Sequence, residues 1–332
     1  MNDVPLKPAM TTAEHIILLQ ERGMHVDEEL AQQWLRNVFY YRLSAYWYPC
    51  REWGEASDGN MKRLNKFMPD TNFADAVALY EADRKLRTLI YDGIERVEVG
   101  FRTRICELLL AKNPDDPLLY RDENIFRAKF DHQKWLKTAD NRVERAIYNR
   151  NKAVQHYSEK YEKRYPLWVL MEVLDFSDIS RLYSGLKSSD QHKIATELGI
   201  EIDWNNLSPN MRKKARKKHP LTQWLHQLSI IRNTCAHHAR LWNRSFLPAS
   251  TKALRTMSEF SSLPDGQSER IYGALVLIKF LLEDISPGST WGTKMQKLIS
   301  EEFLSNPIVT RKSMGLPDSW PDESWGLQRD IY

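Results

Sequence analysis

Long apolar runs are missing from this chain: the longest, Ala274 to Ile278, falls far short of the roughly 18 residues that span a bilayer. Met1 to Met10 also lack the charged-then-apolar layout of a secretion signal. Together these absences predict a soluble, cytoplasmic protein with no membrane partner. Cysteine is scarce as well. Cys50, Cys106 and Cys235 are the only three in 332 residues, odd in number and widely spaced. That excludes a disulfide framework and a four-ligand zinc site, and it predicts reduced thiols in packed positions. The common enzyme signatures are absent too: no glycine-rich phosphate loop, no G-x-G-x-x-G after a strand, no H-E-x-x-H. No period of 20 to 50 residues recurs, and no strand-like alternation stands out. Net charge is only +4, so the whole-molecule balance does not announce a nucleic-acid binder.

What is present is a globular composition, 42% hydrophobic, long enough to bury a substantial core. Helical periodicity dominates, and the expected fold class is all-α. Thr11 to Glu14 is a capping-box pattern opening a helix that Gly23 can close, and Asp27 caps a second helix running to about Val38. Phe73 to Ala111 is the clearest helix, with Leu86, Ile90, Ile94, Val97, Phe101, Ile105 and Leu108 at steps of three or four. Gly93 and Gly100 in its middle mark close contact with another helix. Gly54 to Asn72 reads as a surface loop, Phe130 to Tyr161 as a charged helical surface element, and Leu167 to Leu186 as one helix started by Pro166. Trp204 to Pro220 reads as a loop, Leu221 to Trp242 as a helix, and Ile271 to Ile285, apolar nearly all round, as a central buried helix. Met295 to Leu304 reads as a short amphipathic helix, and the tail from Met314 as a segment pinned by Trp320 and Trp325.

Charge is concentrated in one place. Arg212, Lys213, Lys214, Arg216, Lys217 and Lys218 fall within seven positions with no acid among them. Such a run suits a phosphate backbone, whose binding gains from counterion release. Just downstream lies the candidate reaction centre, Arg232, Asn233 and His237, with His238 and Arg240 as auxiliary groups. Other Arg and His pairs are similarly placed, with four, five and six residues between them in Arg127/His132, Arg150/His156 and Arg212/His219. The Arg232 instance differs in lying on an apolar helical stripe and in having Asn directly after the Arg. A histidine titrating near neutrality can take a proton from a ribose 2′-OH or give one to a leaving 5′-oxygen. An arginine can hold a phosphate as its oxygens gain charge, with no metal or other cofactor. Cys235, His237 and His238 lack the further ligands a zinc ion needs. Five positions put Arg232 and His237 about 140° apart on an ideal helix, so a helix break or two copies meeting in a symmetric dimer would be needed to join them.

Arg232-Asn233 with His237 resembles the R-N-x-x-x-H centre of HEPN domains, and the string from Arg232 to Arg244 resembles the Abi-D/F family of bacterial phage-resistance proteins. Tyr40 to Tyr46, Tyr80 to Arg102, Trp168 with Glu172, and Met314 to Pro317 fit that family in the same order. The resemblance implies a HEPN-like helical bundle with an N-terminal helical elaboration, related to the HEPN cores of type VI CRISPR effectors. It also implies metal-independent RNA cleavage during phage infection, growth arrest, and in some members control by a partner RNA.

The expected organisation is an N-terminal helical region over 1–72, a helical core over 73–304 and a packed tail over 305–332. The expected protein is a homodimeric endoribonuclease whose partners are target RNA and a regulatory small RNA. Two other readings stay open on the residues alone. One is a noncatalytic RNA-binding or sensor module, and the other a protein-interaction scaffold presenting Tyr40 to Trp47.

Overall fold

A computed structural model describes residues 8–55, 59–321 and 325. From the N-terminus run α1 (Thr12–Glu21), α2 (Glu28–Asn37) and α3 (Tyr40–Trp47), then β1 (Arg51–Glu55), β2 (Met61–Phe67) and the long α4 (Phe73–Leu110). Next come α5 (His132–Tyr148), α6 (Lys152–Lys160), α7 (Leu167–Val173), α8 (Phe176–Gly185), α9 (Ser188–Glu197), α10 (Pro209–Lys217) and α11 (Leu221–Ala236). The short strands β3 (Ala249–Ser250) and β4 (Gln267–Ser268) precede α12 (Ile271–Ile285), α13 (Trp291–Leu298) and α14 (Arg311–Met314). The protein is an all-α helical bundle, with strands confined to two antiparallel two-stranded sheets among the described residues. None of the described helices is long and apolar enough to cross a membrane.

The chain forms two compact units, Met1–Leu86 with Met295–Thr310, and Arg87–Lys294 with Arg311–Tyr332. In the first, α1 opens on the expected capping box, with the Glu14 carboxylate taking the Thr11 N–H at 2.6 Å, and Gly23 turns the chain at φ +88°. Tyr46 donates to the Asp83 carboxylate at 2.7 Å, and the Trp47 ring packs 5.7 Å from Phe73, so the tyrosine-rich helix α3 turns Tyr40, Tyr46 and Trp47 into the core. Phe39, Tyr41 and Tyr48 remain exposed. Beyond α13 a π-helical stretch, Ile299–Phe303, carries Glu302 to Lys85 at 2.7 Å.

Gly54 to Asn72 contains a hairpin instead of a loop. Trp53 opposes Arg63, whose guanidinium lies 4.4 Å over the indole, and a Cβ on Gly54 would come within 2.6 Å of Leu64 Cδ1. Both faces of this ribbon touch water, so the alternation that betrays a half-buried strand never develops.

In the second unit, α4 buries Ile90, Ile94, Val97, Phe101 and Ile105 completely. Gly93 and Gly100 permit the expected close approach: a Cβ at Gly93 would sit 2.7 Å from Ile278 and 2.8 Å from the Trp291 indole nitrogen, and one at Gly100 would sit 2.9 Å from Ile285. α12 is buried on nearly every side, and Trp320 and Trp325 are buried, Trp320 edge-on to Tyr272 at 5.6 Å.

Four segments depart from the elements their sequences predict. The stretch 130–161 is two helices, and α5 is no mere surface element because it buries Trp135, Leu136, Ala139 and Val143. The single helix expected over 167–186 breaks at Leu174 and Asp175, where the Asp178 carboxylate takes the Asp175 N–H at 3.0 Å and starts α8 afresh. The basic run lies on α10, not in a loop: the Ser208 hydroxyl accepts from the Met211 N–H, Pro209 occupies the first turn, and Lys and Arg are good helix formers. Finally, the helix from Leu221 stops at Ala236, six residues before Trp242.

Candidate functional site

α11 is fixed before its last turns carry any polar motif. Leu221, Trp224, Leu225, Leu228 and Ile231 are fully buried, and α8 packs alongside. The buried Gln227 amide donates to the carbonyls of Leu247 and Ser268 at 2.7 and 2.9 Å, and the Trp224 indole donates to Ser250 O at 3.0 Å. These clamps set the axial position and rotation of the helix.

The helix end is a Schellman arrangement. The Ala239 N–H bonds Thr234 O at 3.0 Å, the His238 N–H bonds Cys235 O at 2.9 Å, and His238 adopts φ +54°. A non-glycine residue in that left-handed region is uncommon. His237 is therefore the C-cap residue, its N–H bonded to Asn233 O at 3.0 Å. Its imidazole is exposed and makes no hydrogen bond or ion pair with any described residue.

Arg232 faces the other way, toward α4. Its Nε lies 3.9 Å from the Glu98 carboxylate, its guanidinium sits 5.6 Å over the Tyr91 ring, and Nη1 donates to Asn233 Oδ1 at 3.4 Å. Glu98, almost buried, is shared with Arg102, which also donates to the carbonyls of Met171 and Leu174 at 2.7 and 2.6 Å at the end of α7. Asp175 belongs to the same charged neighbourhood. Burial works to raise its carboxyl, but the Arg145 hydrogen bond and the charges of Arg142, Arg145 and Arg232 outweigh that and hold it below the usual carboxylate range.

The fold thus joins Arg232 to Asn233 and orients both, but leaves His237 at the helix end on its own. Tyr91 and Asp175 carry no signal in the sequence that points to this site. Glu98 was visible only as half of an i,i+4 pair with Arg102, one of several on α4, with nothing to separate it from solvent-facing pairs. Of the auxiliary groups, His238 forms the αL cap and Arg240 stacks 5.7 Å over Trp242.

The basic residues lie beyond the opposite end of α11. Lys213, Lys214, Lys217 and Lys218 are exposed, Arg212 reaches back to Leu207 O at 3.4 Å, and Arg216 lies 5.5 Å over Trp204. α11 itself rises about 24 Å between Leu221 and His237. The competing histidines fare differently: His219 is 1% exposed, His132 is buried with Nε2 2.8 Å from Tyr120 O, and His156 packs against Tyr157 and Tyr161.

Comparison with curated proteins and with solved structures gave no match. Residues 33–243 match the family described as Abi-like protein. That interval runs from α2 through the Schellman end of α11 to Asn243, including every residue placed around Arg232 and His237. The match covers more than half of the chain, and the chain belongs to the Abi-like protein family.

Proposed function

We infer that this protein is a metal-independent endoribonuclease of bacterial anti-phage defence, with a HEPN-type centre at Arg232, Asn233 and His237. The observation that carries the reading is the Schellman end of α11. It presents an unpartnered, exposed His237 imidazole five residues beyond an arginine already oriented by Glu98 and Tyr91. The family places the chain among Abi-like proteins, and abortive infection is the biological setting this suggests.

The ribose 2′-oxygen attacks the adjacent phosphorus as His237 takes its proton. The P–O5′ bond breaks, and the 5′-oxygen leaves with a proton from a general acid, either the returning imidazolium or a second His237 in a symmetric dimer. Arg232 stabilises the charge on the non-bridging oxygens, with Asn233 positioning it. The products carry a 2′,3′-cyclic phosphate and a 5′-OH. His238 and Arg240 assist, and Arg212, Lys213, Lys214, Arg216, Lys217 and Lys218 hold the backbone of target RNA or of a regulatory RNA.

The test is incubation of total cellular RNA with the protein and with His237→Ala in EDTA, followed by determination of the new ends. The expected result is cutting by the unaltered protein, 5′-OH termini, and a loss of roughly 10²–10⁴-fold in rate in the variant. Metal-dependent cutting, or equal rates in both proteins, overturns the mechanism.

A second reading, a noncatalytic RNA-binding module, is favoured by one observation: the Arg232 guanidinium is already committed to Glu98 and Tyr91. Growth arrest that survives His237→Ala would establish it.

A further inference from the structure

Three cationic side chains and a histidine converge from four elements on the exposed flank of α11, upstream of the reaction centre. Arg127 follows a bridge between Phe126 and Leu186, and its N–H bonds Gly185 O at 2.9 Å, which sets it at the end of α8. Arg181 is exposed one turn earlier on α8, the helix that packs along α11. Lys218 caps α10, whose last turn is tied to the start of α9 by the Ser188 hydroxyl on Arg216 O. His226 stands exposed on α11 itself.

None of Arg127, Arg181 and Lys218 has a carboxylate partner among the described residues. The charges that act on the group are themselves positive. Desolvation first, and then Arg127, lower the Lys218 ammonium; desolvation first, and then Arg181 and Lys218, lower the His226 imidazole. Elsewhere this protein pairs its clustered cations, as Arg142 and Arg145 are paired by Asp175 and Asp178. Like charges gathered without an acid destabilise the free protein and favour an anion that can bridge them.

The helix itself supplies direction. His226, Asn233 and His237 are seven and four residues apart, within about 20° of one line along α11, and span about 16 Å. All three are exposed.

We propose that Arg127, Arg181, Lys218 and His226 form a phosphate-binding subsite that seats the backbone of single-stranded RNA and feeds the strand along the exposed face of α11 toward His237. The subsite rests on the RNA reading above but not on the cleavage chemistry.

Binding is measured with full-length His237→Ala protein and a fluorescein-labelled, mixed-sequence single-stranded RNA of about 20 nucleotides, across a salt series. Adding Arg127→Glu and Arg181→Glu weakens binding by on the order of tenfold or more and flattens the log K against log salt slope by about 1.4, as expected for two lost phosphate contacts. RNA binding with unchanged affinity and slope overturns the subsite and leaves the RNA reading standing. Failure of the parent protein to bind RNA at low salt overturns both. Equal sensitivity of a polyglutamate probe to the two substitutions marks a general polyanion surface and overturns the assignment to RNA. Should the double variant fail to melt cooperatively, Arg181→Gln with His226→Ala, both at exposed helix positions, takes its place. A slope unmoved by that pair is equally fatal to the subsite.

Discussion

His219 is buried to 1% exposure, takes the Leu221 N–H on Nδ1 at 3.2 Å, and lies edge-on to His192 with ring centroids 4.8 Å apart. Burial first, and then the charge of His192, push its imidazole down to about 3 from an ordinary 6.5. It is therefore neutral in the folded chain, and its burial keeps it out of reach of a phosphate although it follows directly on the basic run. Because the folded value lies below the unfolded one, the unfolded chain binds the proton more readily. Stability is fully present above about pH 6.5 and declines as pH falls toward 3, by at most about 1.4 kcal/mol per pH unit from this group. Urea titrations between pH 7 and pH 4 are expected to reveal that slope, and His219→Asn to remove most of it. An unchanged slope in the variant would assign the acid sensitivity elsewhere. The same residue shows how far sequence alone reaches: Arg212/His219 and Arg232/His237 look alike as strings, and what separates them is burial.

At the scale of elements, Gly93 in α4 sets two general rules against each other. Glycine to alanine inside a helix ordinarily stabilises by about 1 kcal/mol. Here the added methyl meets Ile278 and the Trp291 indole under 3 Å, and that indole is held in place by its own hydrogen bond to Leu89 O at 2.7 Å. The clash outweighs the propensity, and Gly93→Ala is expected to destabilise by about 1–3 kcal/mol in chemical denaturation. A stabilised variant would mean that α12 and α13 yield more readily than their contacts imply. α4 and α12 were legible because nearly every turn buries an apolar residue at helical spacing. α10 was not: only Ala215 is buried among its nine residues, so no stripe exists to read. The break between α7 and α8 escaped for the opposite reason, since apolar residues continue through Leu174 and the interruption is a local Asp175–Asp178 capping contact.

For the whole molecule, a net charge of +4 conceals an uneven distribution. Acids and bases neutralise each other around Glu98, Asp175 and Asp178, whereas Arg127, Arg181 and Lys218 make no ion pair among the described residues. The sequence located the run 212–218 and the Arg232–His237 motif, but not the neighbours that orient Arg232. Glu98 and Tyr91 are brought there by the packing of α4 against α11, over a separation in sequence that no local pattern spans. The helix end at His237 has one more consequence. Its imidazole is exposed on backbone pinned by the Schellman bonds, while His15, His132 and His219 are buried. Brief treatment of the native protein with diethyl pyrocarbonate, read by peptide mass spectrometry, should acylate His237 early and spare those three until the chain unfolds. Bound RNA should then erase the His237 mark, turning this one ring into a covalent record of whether RNA lay along α11.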